Sequence, residues 1–372
     1  MLRFVTAGES HGPGLTAFVE GLPAGLPLDP AAMDAELARR QAGYGRGARQ
    51  QIERDHAEIV GGAVNGVTIG APVALWIENK DWANWRGRIV APWTRPRPGH
   101  ADLAGAAKYG LADLRLVAER ASARETAARV AAGAVAKALL GAVGVSVGSY
   151  VEMIGGAAAD VAALPLAERL ARARQSDVAC PDPIAAEAMR RRIDWAREAG
   201  ESLGGVIVAV ALGAPVGLGS HTQWDRRLDA KLAAAVMSVQ AIKGVEIGDG
   251  FAAAALPGTQ AHDALYPGER GPIRRTNHAG GVEGGISNGE PIIVRAAMKP
   301  IPTTVSPQPT VDLAAGQAAA TQYQRSDVCA VPAAAVVIEA MIAVTLADAL
   351  LDRYGYDDLA TLVSRARIDK KI

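Results

Sequence analysis

The sequence predicts an α+β protein, a sandwich of helices and sheets, on three observations. Strand-like and helix-like periodicities are interspersed along all 372 residues. No G-x-G-x-x-G follows a first strand, so the phosphate-cradling turn of a doubly wound dinucleotide fold is not indicated. No Pro/Ser-rich linker divides the chain, which favours one interlocked domain over residues 1–372.

Taken in order, Phe4-Val5-Thr6-Ala7 reads as a short apolar strand running into a glycine loop. Helical spacing covers residues 29–42, 122–140, 226–243, 312–324 and 332–354, whereas 66–78, 204–212 and 289–298 read as strands. The clearest helix start is Ser122-Ala123-Arg124-Glu125: Ser122 can cap the first turn, Glu125 can reach back to its amide, and Gly141 is the expected stop. Asn65-Gly66 and Asn288-Gly289 are similar turns next to two of the strands, a hint of duplication. Only the alanine-rich, mixed-charge stretch 157–183 reads as dispensable.

Lys plus Arg and Asp plus Glu both total 39, which argues against a protein held to nucleic acid or a membrane surface by long-range charge. Cys180 and Cys329 lack the spacing of a metal site or a disulfide framework, and nothing in residues 1–21 reads as a signal peptide. A reducing cytoplasm is therefore the expected compartment. The apolar stretches 130–147 and 330–351 are interrupted by Lys137 and by Glu339 and Asp348, so they read as buried helices and not as membrane spans. With only 4% aromatic residues, the core must be built from small side chains at close approach.

Five groups of residues carry chemistry. Gly8-Glu9-Ser10-His11-Gly12 and Arg97-Pro98-Gly99-His100-Ala101-Asp102 each present a histidine on a turn, where it can exchange a proton near neutral pH. Asp102 can orient His100, but residues two apart on a loop need not meet, and the expectation is a solvated carboxylate outside the catalytic set. Arg39, Arg40, Arg46, Arg49 and Arg54 surround Gly43-Tyr44-Gly45-Arg46-Gly47, a local anion site whose guanidinium forks match phosphate and carboxylate oxygens. The alternative, an RNA-binding patch, lacks interleaved stacking aromatics. Arg120 and Arg124 flank the helix start at Ser122, whose unpaired amides favour an anion. Finally, the glycine-rich run 277–289, then Lys299-Pro300-Ile301-Pro302-Thr303, suits close approach to a flat ring or a phosphate, and Arg325-Ser326-Asp327 adds a cation and a carboxylate.

Together these segments resemble the chorismate synthase family, nearly end to end, from Phe4-Val5-Thr6-Ala7-Gly8-Glu9-Ser10-His11 to the helix after Arg325-Ser326-Asp327. The resemblance implies a fold with helices packed between two antiparallel sheets, assembled as a homotetramer. It implies conversion of 5-enolpyruvylshikimate 3-phosphate to chorismate by trans-1,4 elimination of phosphate, requiring reduced FMN without net redox change. By motif, His11 matches the histidine assigned to protonate the departing phosphate and His100 the one assigned to protonate the reduced flavin. Ser10, Ser122 and Asp327 match the family's proton-relay groups.

FMN contacts are expected at Arg120, Ala121, Ser122, Gln240, Ala241, Gly284, Lys299, Pro300, Ile301, Pro302, Thr303 and Arg325. Arg40 and Arg46 match positions associated with NADP, and with Arg49 and Arg124 they are expected to face the anionic substrate. Ala121 stands where many members carry serine, and Gln50 where methionine is common. Whether NADPH or an external flavin reductase supplies the electrons is left open by the sequence. Two other readings stand beside this one: a different FMN enzyme acting on a phosphorylated metabolite, and a non-catalytic anion- or RNA-binding protein.

Overall fold

A computed structural model describes residues 1–47, 53–269, 271–355 and 357–369. The first sheet is antiparallel, in the order β1 (Arg3–Gly8), β2 (Gly14–Glu20), β6 (Val73–Glu78), β3 (Glu58–Gly61). Between β3 and β6, β4 (Ala63–Val64) and β5 (Val67–Thr68) form a hairpin closed by Asn65 and Gly66. Their φ values of 51° and 76° are the paired positive angles that a two-residue hairpin turn of this hand needs. Asn288-Gly289 is not its counterpart, since only Gly289 has positive φ there and no hairpin is closed, so the hint of duplication gains nothing.

A second antiparallel sheet runs β10 (Ile242–Ile247), β15 (Ile292–Met298), β9 (Gly205–Leu212), β7 (Ser146–Ile154), β8 (Ala157–Ala158). Two-stranded ladders complete the β structure: β11 (Leu265–Tyr266) with β12 (Ile273–Arg274), β13 (Val282–Glu283) with β14 (Ile286–Ser287), and β16 (Pro309–Asp312) with β17 (Gln317–Ala320). The longer helices are α1 (Pro30–Gln41), α2 (Asp102–Tyr109), α3 (Leu114–Ala121), α4 (Thr126–Ala142), α5 (Leu166–Ala173), α6 (Pro183–Ala199), α7 (Leu228–Met237), α8 (Val331–Tyr354) and α9 (Leu359–Asp369). Both large sheets are antiparallel and several of these helices are packed against them, an α+β architecture.

Helix α4 packs on β2 and β6 of the first sheet, α8 packs on β7 and β9 of the second, and α4 and α8 lie against each other. Small residues make this contact possible: a Cβ on Gly133 of α4 would sit 2.2 Å from the Cβ of Ala340 of α8. Even alanine at 133 would force the helices apart. By length and composition α8 could cross a membrane, yet 94% of its apolar window is buried inside the protein, which is the behaviour of a core helix.

One carboxylate sits in the middle of this layer. Glu339 of α8 is 0% exposed, and accepts from Arg39 Nη2 (2.7 Å) and Nη1 (2.9 Å), Lys137 Nζ (2.6 Å) and Ser149 Oγ (2.6 Å). It thereby ties α1, α4 and β7 to α8. Burial alone would raise its pKa, but Lys137 and Arg39 outweigh burial and hold it at about 2. The folded value is depressed, so the stabilisation is present above the unfolded value near 4.5 and is lost as pH falls toward 2. The shift is worth on the order of 3 kcal/mol. Urea titrations between pH 6 and pH 2 should therefore show a shallower acid limb for Glu339→Gln than for the wild type; superimposable limbs would remove Glu339 as the cause.

Three readings of the sequence are corrected here. Residues 226–243 do not form one helix: α7 ends at Met237, Ala241 takes a left-handed φ of 67°, and 242–247 become β10 by pairing with β15. Sheet pairing overrides the helical propensity of that segment. Residues 312–324 form no helix either, because the Asp312 side chain accepts the amides of Ala314 (3.1 Å) and Ala315 (3.4 Å) and turns β16 into β17. The stretch 157–183 is not dispensable: α5 covers the outer face of β7 and β9, where Leu166, Leu170 and Ala173 pack with Tyr150, Val208 and Val210.

Candidate active site

The glycine loop after β1 is held from below. Gly8 has φ 107°, and a Cβ there would lie 2.3 Å from the carbonyl oxygen of Gly14, so the turn needs glycine. The Asn79 amide, 2% exposed, donates to the carbonyls of Glu9 (3.0 Å) and Gly12 (2.9 Å), and its own oxygen accepts from Arg124 Nε at 2.7 Å. Ser10 and His11 ride on this loop. The Ser10 amide donates to the Glu119 carbonyl (2.9 Å), and Ser122 Oγ donates to Ser10 Oγ (3.1 Å).

Glu119, in the last turn of α3, accepts two hydrogen bonds from His11, from Nδ1 at 2.8 Å and from the backbone amide at 2.7 Å. An ionised carboxylate only accepts, so Nδ1 carries the hydrogen. Burial would raise the Glu119 carboxyl, but the hydrogen bonds from the His11 ring and backbone win and lower it. The imidazole lies on the Trp85 ring with centroids 4.1 Å apart.

His100 is built on the same plan. Asp102 is 1% exposed, opens α2, and accepts from His100 Nδ1 at 2.5 Å; it also takes Arg97 Nε (2.8 Å), Nη2 (2.9 Å) and backbone amide (3.1 Å). Burial would raise this carboxyl, but hydrogen bonds from His100 and Arg97 hold it far below the usual carboxylate range. The expectation of a solvated Asp102 is thus overturned: Arg97 folds the loop back until residues 100 and 102 meet.

Contacts join the two histidine loops. Glu125 does not reach back to the Ser122 amide as a capping box would; instead it accepts from Thr6 Oγ1 (2.7 Å), Arg129 Nε (2.9 Å) and Gln240 Nε2 (3.1 Å), while Ser122 caps through Arg124 N (3.2 Å). Next to Gln240, the carbonyl of Ala241 accepts the Lys299 amide at 2.9 Å. Lys299 Nζ then donates to the Gly99 carbonyl (2.9 Å), next to His100, with Pro302 alongside. Among the described residues no carboxylate pairs with Lys299, and its pKa is lowered by burial and by Lys243 nearby. Arg120 is half exposed and holds Gly8 O (3.2 Å) and Thr6 Oγ1 (2.7 Å). On the far side of Trp85, whose indole donates to Asp81 (3.2 Å), Arg325 reaches the same Asp81 at 3.3 Å.

Arg40 and Arg124 are 4% and 6% exposed and share Asp55, at 2.7 and 2.5 Å. Arg46 pairs with Asp327 (2.7 Å), whose other oxygen takes the Gly47 amide (2.6 Å). Among the described residues, the Nε atoms of Arg40 and Arg46 and the Oε1 of Gln240 are buried without a partner. Arg49 and Gln50 lie outside the described residues. Gly284 turns β13 into β14 ahead of β15, whereas Lys299 follows β15, so the seven residues of β15 lie between them in the chain. Its neighbour Glu283 lines a separate cavity with Asp229, His262 and His278. Ala121, Pro300, Ile301 and Thr303 are intermediate or exposed, and the Ile301 carbonyl is held by Ser202 Oγ at 2.7 Å.

The residues that the sequence did not supply are Glu119, Asn79 and Trp85, and Glu125 was read only as a cap. Their site contacts have no local signature, because they join partners 45 (Asn79 with Arg124), 74 (Trp85 with His11), 108 (Glu119 with His11) and 119 (Glu125 with Thr6) positions apart.

Two histidines backed by carboxylates, two hydroxyls at a helix start and a lysine without a carboxylate partner among the described residues make this the site of an enzyme that moves protons on a small anionic ligand. The sequence matches the family description "Chorismate synthase" over residues 2–351. It is 53% identical to the chorismate synthase of Trichlorobacter lovleyi and 55% identical to that of Moorella thermoacetica, covering 96% of both chains in the first case, and 98% of this chain and 97% of the relative in the second. A solved structure titled as a crystal structure of chorismate synthase superposes with a TM-score of 0.81 at 45% identity, over 100% of this chain and 97% of that one. The chain belongs to the chorismate synthase family.

Proposed function

We propose that this lyase converts 5-enolpyruvylshikimate 3-phosphate to chorismate by trans-1,4 elimination of phosphate, with reduced FMN as its cofactor. The observation that carries the reading is the continuous run of contacts from the His11 loop through Ser122, Glu125, Gln240 and Lys299 to the His100 loop. A substrate with a phosphate and two carboxylates needs cations that are not already neutralised; Lys299 near Lys243 meets that need, while half-exposed Arg120 and Arg325 are paired with Glu125 at 3.8 Å and with Asp81 at 3.3 Å.

The residues present fit the cofactor. Gln240 Oε1, buried and without a partner among the described residues, suits an N–H or O–H of a ligand, and Lys299 suits a phosphate or an anionic ring. When bound, reduced FMN supplies the electron that loosens the carbon–oxygen bond to phosphate. His11 is positioned to hand a proton to the departing phosphate and His100 to hold one at the flavin edge, with Ser10, Ser122 and Asp327 relaying protons. Arg40, Arg46, Arg49 and Arg124 frame the substrate and NADP side, and the unpartnered Nε atoms of Arg40 and Arg46 support that use. Gly284 is assigned to FMN by its match to the family motif, and the assembly is a homotetramer on the same ground.

The same reading makes residues 1–372 a single domain with helices between two sheets, supported by one core cluster that runs from Leu2 to Ala366, in a cytoplasmic enzyme. NADPH or an external flavin reductase is the source of electrons. Anaerobic turnover with photoreduced FMN tests the proposal: chorismate appears by absorbance, and repetition with NADPH alone separates the two electron sources. FMN binding without chorismate would transfer the chain to another flavin-dependent reaction.

A further inference from the structure

Glu119 belongs to none of the roles assigned so far. We propose that Glu119 is a positioning residue for the reaction: it fixes His11 so that Nε2 alone exchanges a proton with the substrate. The inference rests on the reading of the site given above.

Both Glu119 oxygens are spent on one residue, the ring Nδ1–H and the backbone N–H of His11. That bidentate grip sets the imidazole relative to its own loop, and the Trp85 ring against one face opposes rotation of the imidazole. The Glu119 carbonyl also takes the Ser10 amide, and Ser122 lies three residues further along the same chain turn. One helix end therefore places His11, Ser10 and Ser122 together. The contrast with the other histidine is informative. Asp102 divides its charge between His100 and a chelating Arg97, whereas among the described residues no lysine or arginine forms an ion pair with Glu119, Arg115 acting only from further off. With Nδ1 committed to a carboxylate that cannot donate, proton exchange with a ligand falls to Nε2.

Glu119→Gln tests this with little change of shape. An amide has one accepting oxygen and one donating nitrogen, so it cannot take the two His11 hydrogens one on each terminal atom as the carboxylate does. If its oxygen keeps the backbone amide, its NH2 faces Nδ1, which must then become the acceptor, and the ring hydrogen moves to Nε2. We expect kcat for chorismate formation to fall about 10- to 100-fold with KM little changed, the scale found when a histidine's outer partner is removed. In protein labelled with 15N-histidine, the Nδ1 and Nε2 shifts of His11, assigned with His11→Asn, should exchange. Glu119→Asp, which keeps the charge at shorter reach, should recover part of the rate and the original tautomer. A wild-type kcat in Glu119→Gln, or a lost rate with the His11 tautomer unchanged, overturns the proposal. If the wild type makes no chorismate, the site reading fails, and the tautomer measurement still decides what Glu119 does to His11.

Discussion

Replacing His11 with alanine should lower the rate of chorismate formation by about 10²- to 10⁴-fold, the span lost when a positioned proton donor is removed. The fold should survive, because the His11 side chain is at the surface of the site and the loop beneath it is still held by Asn79 and by the Ser10 amide. His100→Ala should cost a comparable factor, although Asp102 keeps its three bonds to Arg97 there. Rapid-quench measurement of chorismate under photoreduced FMN, with circular dichroism and FMN titration on the same samples, reads the effect. Two folded, FMN-binding variants with wild-type rates would take both histidines out of the proton chemistry.

Asp55→Ala should be the most damaging change to stability, at about 3–5 kcal/mol, the cost of stranding buried charge. Asp55 has a side chain 0% exposed and is the carboxylate between two guanidiniums, Arg40 and Arg124, that are nearly as buried. Without it Arg40 keeps Thr126 at 3.3 Å, and Arg124 keeps Asn79 and the Glu78 carbonyl. Burial would raise the Asp55 carboxyl, but Arg40 and Arg124 lower it, so its contribution is present above the ordinary value of 3.8 and disappears as pH drops further. Urea midpoints at pH 7 measure the loss. The same variant should also weaken turnover, since Arg124 steadies Asn79 and Asn79 steadies the loop that carries His11. A midpoint like that of the wild type would mean that the two arginines find other partners at no cost.

How far the sequence went depended on the range over which its signals act. Asp29 with Pro30 at the start of α1, and the apolar run of α8, are local signals and were legible. Helix α6 carried signals of the same kind, Asp182 accepting the amides of Ile184 and Ala185, Pro183 in the first turn and Gly200 at the end, and was not read. Residues 312–324 were misread because Ala-Ala-Gly-Gln-Ala-Ala-Ala mimics helical spacing, while the Asp312 side chain decides for a hairpin. That hairpin matters to the site: Thr310 Oγ1 donates to the Pro96 carbonyl (2.6 Å) and Arg95 pairs with Asp312 (3.2 Å), next to the His100 loop. At the site itself the histidines, serines and arginines stood out as motifs. Glu119 did not, because it meets His11 across 108 positions, and Asp327 stood out as a motif residue while its pairing with Arg46, across 281 positions, did not. Asp102 was near enough to be seen and was discounted on spacing alone, without the arginine that bends the loop.

The first strand is tied to helix α8: the Leu2 amide donates to Asp348 Oδ1 at 2.9 Å, across 346 positions. A ribosome adding about 5–20 residues per second reaches Asp348 roughly 17–70 s after Leu2 has been made. Through that interval β1 and β2 can pair, but the alanine face of α4 has no α8 to lie against, and Arg39 and Lys137 have no Glu339. Until α8 is made, the faces of α4, β7 and β9 that it covers have nothing to lie against, whereas α4 can already pack on β2 and β6. A truncation just before residue 331 would leave both histidine loops encoded but remove the helix that joins the two sheets through α4.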